Sequence, residues 1–178
     1  MKVQKYVYLC AMEYQEAKEK FISTWGSLGT LWGINKAMAQ IQALLFIATK
    51  PLTMEDIMDE LKISRGNASM NLRQLMDWGI VTKELVAGER KEYFKTEKDV
   101  QELARIIAKE RSRREIQPVV KVLKEVSHIK DDGTAKTKEL IKQTKALHEL
   151  TETADAMLNK IVNQQQNWIT KSLIKLIK

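Results

Sequence analysis

The chain has 178 residues, of which 44% are hydrophobic and 30% charged, and 30 Lys and Arg against 23 Asp and Glu give a formal charge of +7. These proportions are typical of a globular protein and exclude a disordered tail. The positive charge favours a polyanionic partner only modestly, because many basic proteins bind no nucleic acid.

Cysteine and histidine usage excludes a disulfide framework and a metal site, so we expect no cofactor. Cys10 is the single cysteine, and His128 and His148 lie far apart with no carboxylate pattern that resembles a metal site. No apolar run approaches the roughly 18–20 residues that span a bilayer, and residues 1–14 lack the apolar core and cleavage site of a signal peptide. We therefore expect a cytoplasmic protein with no membrane partner.

Two helices are predicted before residue 50. In the first, over residues 11–31, four apolar residues recur at helical spacing: Ala17, Phe21, Trp25 and Leu28. The glycines Gly26, Gly29 and Gly33 predict that this helix ends or kinks near residues 30–33. A second helix over residues 35–49 is stopped by Pro51, because the residue before a proline avoids the helical region.

A third and a fourth helix follow, each with a hydroxyl side chain at its start. Thr53 precedes Glu55 and Asp56, whose negative charge suits the N-terminus of a helix. Ser64 begins the fourth helix, and Gly79 ends it as a C-terminal glycine commonly does. The apolar positions of the fourth helix are Ala68, Leu72, Leu75 and Met76.

The hydrophobic period then changes to that of a β-hairpin. Residues 80–86 and 91–96 are rich in strand-forming residues, and residues 87–90 form the turn between them. Two helices joined by a tight turn and followed directly by a hairpin indicate a winged helix-turn-helix. In that fold the fourth helix enters the major groove of DNA, which is about 12 Å wide.

The outward face of the fourth helix suits DNA binding, because it carries no acidic residue before Asp77. Arg and Asn side chains can bond base edges in a bidentate manner, while Ser and the helix N-terminus can take phosphates. The alternative is an ordinary solvated polar face. The candidate DNA-binding residues of this helix are Ser64, Arg65, Asn67, Ser69, Met70, Asn71 and Arg73.

The hairpin tip adds two further candidates, Arg90 and Lys91. A long basic side chain on a wing can reach the minor groove or a flanking phosphate. Glu89 could hold Arg90 in position rather than contact DNA. The alternative is a charged turn without function.

Beyond Asp99 the pattern is helical, and Pro118 indicates a kink or a helix boundary. Residues 105–124 are rich in Lys and Arg, which contact phosphate or form the solvated side of a long helix. Residues 131–134 are a loop. From Ala135 the chain has no Gly or Pro, and one stripe follows a heptad-like repeat: Leu140, Leu147, Leu150, Ala154, Met157, Ile161 and Trp168. This helix either lies on its own domain or pairs with a second copy or with another long helix of the subunit.

The run from Ile63 to Leu75, followed by residues 79–81, closely resembles the MarR-type winged-helix regulators. Its start, Ser64-Arg65-Gly66-Asn67, and its centre, Met70-Asn71-Leu72-Arg73, resemble the GbsR-like branch. The tip at residues 88–91 is similar to the wing tip of the family. The resemblance covers about residues 20–120 and implies a homodimeric transcriptional regulator of double-stranded DNA, often a repressor, whose terminal helices make the dimer.

The resemblance also implies a small-molecule effector bound between the DNA-binding and dimer regions. Phe21, Trp25 and Trp32 are candidates for that pocket, because aromatic faces attract quaternary ammonium groups. Aromatic residues at helical spacing are otherwise part of a hydrophobic core.

These patterns together predict a mainly α fold with a small β-hairpin, in which long terminal helices form a dimerisation region. We expect a helical N-terminal region at residues 1–33, the DNA-binding winged helix at residues 34–98 and C-terminal dimerisation helices at residues 99–178. The expected function is that of a repressor, bound as a homodimer to a pseudo-palindromic operator and responsive to an effector. The alternative is a winged helix used for protein–protein interaction. The sequence has no nucleophile turn or glycine-rich phosphate loop, so we expect no enzymatic activity.

Overall fold

The computed structural model describes residues 12–85 and 88–176, with side chains as far as Lys160. The chain divides into two units, residues 1–96 and 97–178. Cys10 and the side chains of Ile161 and Trp168 lie outside the described part.

The described residues of the first unit form four helices and three short strands. In chain order these are α1 (Tyr14–Leu31), α2 (Lys36–Ile47), β1 (Leu52–Thr53), α3 (Met54–Leu61), α4 (Arg65–Asp77), β2 (Val81–Leu85) and β3 (Glu92–Thr96). The strands form an antiparallel sheet in the order β1-β3-β2. The predicted hairpin is therefore confirmed, whereas the two-residue strand β1 is not evident from the sequence.

All the regular elements described in the second unit are helical. It contains α5 (Val100–Arg111), a π-helical segment (Ser112–Ile116), α6 (Gln117–Ser127) and α7 (Ala135–Leu176). Pro118 lies in the first turn of α6, directly after the π-helical segment, in which the Gln117 N–H bonds the Ser112 carbonyl five residues back. The expected boundary at this proline is confirmed, and the fold is mainly α with a small sheet, as predicted.

Local side-chain chemistry sets the ends of α3 and α4. Thr53 and Asp56 form a capping box, in which each side chain binds the backbone N–H of the other residue. The Ser64 hydroxyl accepts a hydrogen bond from the Asn67 backbone N–H at 3.3 Å. Gly79 has φ +74°, which is the left-handed conformation that ends a helix.

The core of the first unit forms around α2, which packs against α1, α3, α4 and β3. Apolar side chains from every one of these elements except α1 are almost completely buried there: Ile41, Leu45, Ile57, Leu72, Leu75 and Phe94. This core holds α3, α4 and the hairpin in one arrangement.

The helix α1 approaches α2 closely at Gly29. A Cβ built on Gly29 would lie 2.5 Å from the Cβ of Ala39, which is far inside van der Waals contact. The two glycines Gly26 and Gly29 therefore do not break α1, which continues to Leu31, but permit the close packing of the two helices.

We expect Gly29→Ala to destabilise the protein by about 1–3 kcal/mol, because α1 and α2 would have to move apart. The measurement is the urea midpoint of unfolding. Gly66→Ala is the matched control, since a Cβ at this helical glycine meets nothing within 4 Å. The control should be neutral or slightly stabilising, because alanine favours a helix. Equal midpoints for the two variants would contradict the close packing.

Helix α7 packs against α5, the π-helical segment and α6. The residues that face them are buried or half-buried, among them Ile141, Thr144 and His148. Most of the described members of the predicted heptad stripe do not make this contact, although Ala154 is half-buried. Its members Leu140 and Leu147 are exposed within the chain.

Candidate nucleic-acid interface

The helix-turn-helix is formed by α3 and α4, which pack against each other. Lys62 ends α3 in the left-handed conformation with φ 54°, and Ile63 N–H bonds the Met58 carbonyl at 3.3 Å. This compact turn brings Ser64 directly to the start of α4. The N–H groups of the first turn of α4 then point away from the helix, as an anion site requires.

The structure places most of the predicted residues of α4 on its outer side. Ser64, Arg65, Met70 and Arg73 are exposed, while Asn67 and Ser69 are half-buried. Arg65 and Arg73 therefore stand more than two helical turns apart, and the first acidic residue of their helix is Asp77, near its C-terminal end. This surface, together with the hairpin tip, is the candidate interface.

The predicted exposure of Asn71 is wrong, because its side chain is completely buried. Asn71 follows Ala68 by three residues and precedes Leu75 by four, so helical geometry places it on the inward side. Its amide NH2 donates to the backbone carbonyl of Asn67 at 2.8 Å and to Asn67 Oδ1 at 2.6 Å. The Asn71 side chain thus holds Asn67 from the buried side of α4 and cannot reach a DNA base.

Sequence reasoning missed Glu55, which lies at the start of α3 and holds Arg65. The Glu55 carboxylate accepts from the Arg65 guanidinium at 2.6 Å. This hydrogen bond is the main reason why the pKa of Glu55 is lowered from its usual value. The ion pair fixes one edge of the guanidinium, which has five donors in a planar fork, and leaves the others for a ligand. In the sequence, the acidic first turn of α3 indicates helix capping alone.

The hairpin tip presents two exposed cations, Arg90 and Lys91. Glu89 does not hold Arg90, as the sequence suggested, but accepts a hydrogen bond from the Tyr93 hydroxyl. This bond raises the pKa of Tyr93. Lys91 lies close enough to the first turn of α3 to contribute to the lowered pKa of Glu55, although less than Arg65 does. The tip therefore adds positive charge beside the helix-turn-helix.

Several arginines of the basic stretch at residues 105–124 form ion pairs within their own helices. Arg105 pairs with Glu102, and Arg113 and Arg114 both pair with Glu110. Glu110 is buried, and its pKa is lowered chiefly by the hydrogen bond from Arg113. These pairs favour the solvated helix surface over a second phosphate contact.

Two of the three aromatic candidates for an effector pocket take part in packing. Phe21 and Trp25 stack one turn apart on α1, with ring centroids 5.8 Å apart. The Trp25 indole N–H donates to Gln42 Oε1 on α2 at 2.7 Å. Trp32 follows α1 and is 57% exposed. A cleft of about 530 Å³ near Leu52 and Glu60 is lined by none of the three aromatics.

Within the described residues, no group of His, Cys, Asp and Glu side chains could hold a metal ion. Among the described helices, none has the length and apolarity that crossing a membrane requires.

Comparison with known protein families gives a match over the winged helix. Residues 32–92 match the MarR family model. The match begins just before α2 and ends at the start of β3, so it contains the whole helix-turn-helix and the hairpin tip. Helix α1 and the entire second unit lie outside this MarR-type segment.

A solved structure supports the same fold over a longer part of the chain. It is a crystal structure of a transcriptional regulator with a TM-score of 0.55 and 16% sequence identity. The similarity covers 81% of this chain and 99% of the other. A search of curated proteins finds no match. The family match thus supports a MarR-type segment at residues 32–92, and the solved structure supports the fold.

Proposed function

We propose that the chain is a transcriptional regulator that binds double-stranded DNA in a sequence-specific manner. The observations that carry this proposal are the outer surface of α4, which exposes Arg65 and Arg73, and the exposed cations Arg90 and Lys91 of the hairpin tip. The MarR family match over residues 32–92 supports it. In this function α4 lies in the major groove, and its N-terminal residues contact base edges.

In more detail, we propose that the regulator is a homodimeric repressor of the GbsR-like branch that acts on a pseudo-palindromic operator. Two copies related by a two-fold axis would place two α4 helices on half-sites about one DNA turn apart, roughly 34–36 Å. A dimer is also what the exposed apolar side chains of the second unit favour.

Selection of bound duplexes from a random pool tests the proposal. We expect an enriched sequence with two related halves, and an affinity that falls steeply with salt because cations replace counterions on phosphate. Random recovery with salt-independent binding would favour the alternative, a winged helix that binds another protein.

Removal of Arg90 tests the part assigned to the wing. An interaction with a flanking phosphate carries little base information, so Arg90→Ala should weaken binding to operator and to scrambled duplex by similar factors. It should also reduce the log–log salt slope by about one unit for each phosphate that Arg90 neutralises. Lys95→Ala is the control, because Lys95 already pairs with Glu84 at 2.8 Å across the hairpin. Loss of discrimination with unchanged random binding would mean that the wing reads sequence.

A further inference from the structure

The outer surface of α4 carries one large apolar side chain. Met70 is 52% exposed, whereas the other large apolar residues of this helix, Leu72, Leu75 and Met76, are buried or half-buried. Met70 lies between the two exposed arginines of α4 in the sequence. Binding of α4 in a DNA groove would remove this thioether chain from water, which is favourable where it meets an apolar group of a base.

Asn67 is the neighbour of Met70 on the surface of the helix. Residues three positions apart lie on one face, with Cβ atoms about 5–6 Å apart. Helical side chains also lean toward the N-terminus, so the Met70 side chain covers the turn that contains Asn67. Gly66 lies in the same turn, and a Cβ built on it would meet nothing within 4 Å. The space beside the pair is therefore open to a base edge.

The buried residue Asn71 determines which end of the Asn67 amide is available to a ligand. Asn71 Nδ2 contacts the Asn67 backbone carbonyl at 2.8 Å, and because a carbonyl can only accept, this end of the Asn71 amide must be the NH2. The Asn67 atom that the same NH2 meets at 2.6 Å must then be the oxygen Oδ1. No hydrogen bond among the described residues uses the NH2 of Asn67. Asn67 therefore offers a donor.

This arrangement leaves Asn71 itself poorly satisfied. Its side chain is completely buried, and its own Oδ1 has no hydrogen-bond partner among the described residues. A buried acceptor without a partner destabilises a fold, whereas an apolar side chain of similar shape avoids this cost. The orientation of Asn67, rather than the stability of the core, is thus what Asn71 provides.

Thymine is the base whose major-groove edge matches the pair of Asn67 and Met70. It presents the acceptor O4 beside the C5-methyl group. Guanine has acceptors without a methyl group, cytosine has a donor, and adenine has one acceptor and one donor. An amide NH2 that donates to O4 and a thioether chain that packs on the methyl group satisfy both features of thymine at once.

We propose that Asn67 and Met70 together recognise one thymine in each half-site, and that Asn71 is the positioning residue that presents the Asn67 NH2 to it. The inference rests on the proposed function, because it requires α4 to lie in the major groove. It adds the identity of a base that this helix recognises.

Replacement of single thymines by deoxyuridine in the selected operator tests the methyl contact, because deoxyuridine keeps O4 and the base pair but lacks the methyl group. With the full chain, replacement of one thymine should raise the Kd about 4-fold per half-site, as expected for one buried methylene-sized group. Met70→Ala should bind the two operators within about 1.5-fold of each other. Gln74→Ala, also on the exposed side of α4, is the control and should retain the sensitivity.

Asn67→Asp tests the direction of the hydrogen bond. The aspartate has the same shape but only acceptors, and one of its oxygens still accepts from the Asn71 NH2. The selected base should change from thymine to cytosine or adenine, which present donors, and the preference for thymine over cytosine should fall about 10-fold or more. Folding should survive, because a negative charge suits the first turn of a helix. An unchanged selected base would overturn the donor assigned to Asn67.

Asn71→Leu tests the positioning residue. The variant removes the amide but leaves a buried side chain of similar size, so the urea midpoint should be unchanged or higher. The Asn67 amide is then no longer oriented, and the preference for thymine over cytosine should fall about 3-fold or more at an unchanged salt slope. In the Asn67→Ala background, Asn71→Leu should have no further effect on this preference. Loss of stability with an intact base preference would mean that Asn71 acts in the core alone.

The deoxyuridine series separates this inference from the proposed function. If an operator is selected but no replacement of a thymine weakens binding, or if Met70→Ala keeps the sensitivity, the thymine contact is overturned and the sequence-specific regulator stands. If selection enriches no sequence, the proposed function is overturned and the inference falls with it.

Discussion

Arg65→Ala should lower the affinity for the selected operator by roughly 5- to 150-fold per half-site, which corresponds to about 1–3 kcal/mol for a bidentate bond to a base edge. Arg65 begins α4, where its guanidinium is exposed and held by Glu55 at 2.6 Å. Because one edge of the guanidinium is fixed before DNA arrives, less side-chain freedom is lost on binding. Affinity for scrambled duplex should fall much less. The measurement is the ratio of the two affinities at one salt concentration.

Two further variants separate the charge of Arg65 from its geometry. Arg65→Lys keeps a cation for phosphate but lacks the planar fork, so it should retain affinity for scrambled duplex and lose operator preference. Glu55→Gln keeps Arg65 but replaces the ion pair with a weaker neutral acceptor. It should reduce operator preference while strengthening binding to random DNA, since a negative charge is removed from the surface.

The expected loss of operator preference assumes that α4 is the helix that contacts base edges. If Arg65→Ala reduces operator and scrambled binding equally while Arg65→Lys retains both, Arg65 contacts phosphate alone. If neither variant changes binding, α4 is not the DNA-binding helix. Stability should be unaffected in both variants, because the ion pair with Glu55 is exposed and such pairs contribute about 0–1 kcal/mol.

Features that depend on neighbouring residues could be predicted from the sequence. The caps at Thr53 and Ser64 involve backbone groups two or three positions away, and the left-handed glycine at Gly79 needs no distant partner. The boundary at Pro118 likewise follows from the missing N–H of proline. These local signals were sufficient for the order of elements and therefore for the winged helix.

Features that depend on packing partners could not be predicted in the same way. The polarity of Asn71 suggested exposure, but its position between Ala68 and Leu75 buries it, and its amide NH2 donates to Asn67. The ion pair between Glu55 and Arg65 joins two helices at a separation of ten residues, for which the sequence carries no periodic signal.

The same limit applies to α7. Its heptad stripe is evident in the sequence, but the packing within the chain uses the neighbouring stripe that contains Thr144 and His148. Because the residues at those positions are polar, a search for a hydrophobic period does not detect this inner contact. Phe21 and Trp25 belong to the helical stripe predicted for α1. In the structure the two rings stack on each other, and the Trp25 indole N–H donates to Gln42 of α2.

The largest expected loss of stability comes from Phe94→Ala, at about 3–5 kcal/mol. Phe94 lies in the central strand β3, opposite Leu52 of β1 and Lys83 of β2, and is 2% exposed. Strand β3 also contacts α2 and α3, so this side chain joins the hairpin to the helix-turn-helix. A typical domain has a free energy of unfolding of about 5–15 kcal/mol, so the variant loses a large share of its stability.

Urea unfolding of the Phe94 variants measures this loss, with tryptophan fluorescence as the signal because Trp25, Trp32 and Trp78 all belong to the first unit. Phe94→Leu is the graded control, since it keeps most of the buried volume and should cost about 1.5 kcal/mol or less. Tyr93→Phe, next to it on the strand, removes the hydroxyl that binds Glu89 at the exposed tip and should change stability little. If Phe94→Ala costs no more than Tyr93→Phe, the hairpin is not anchored by this side chain.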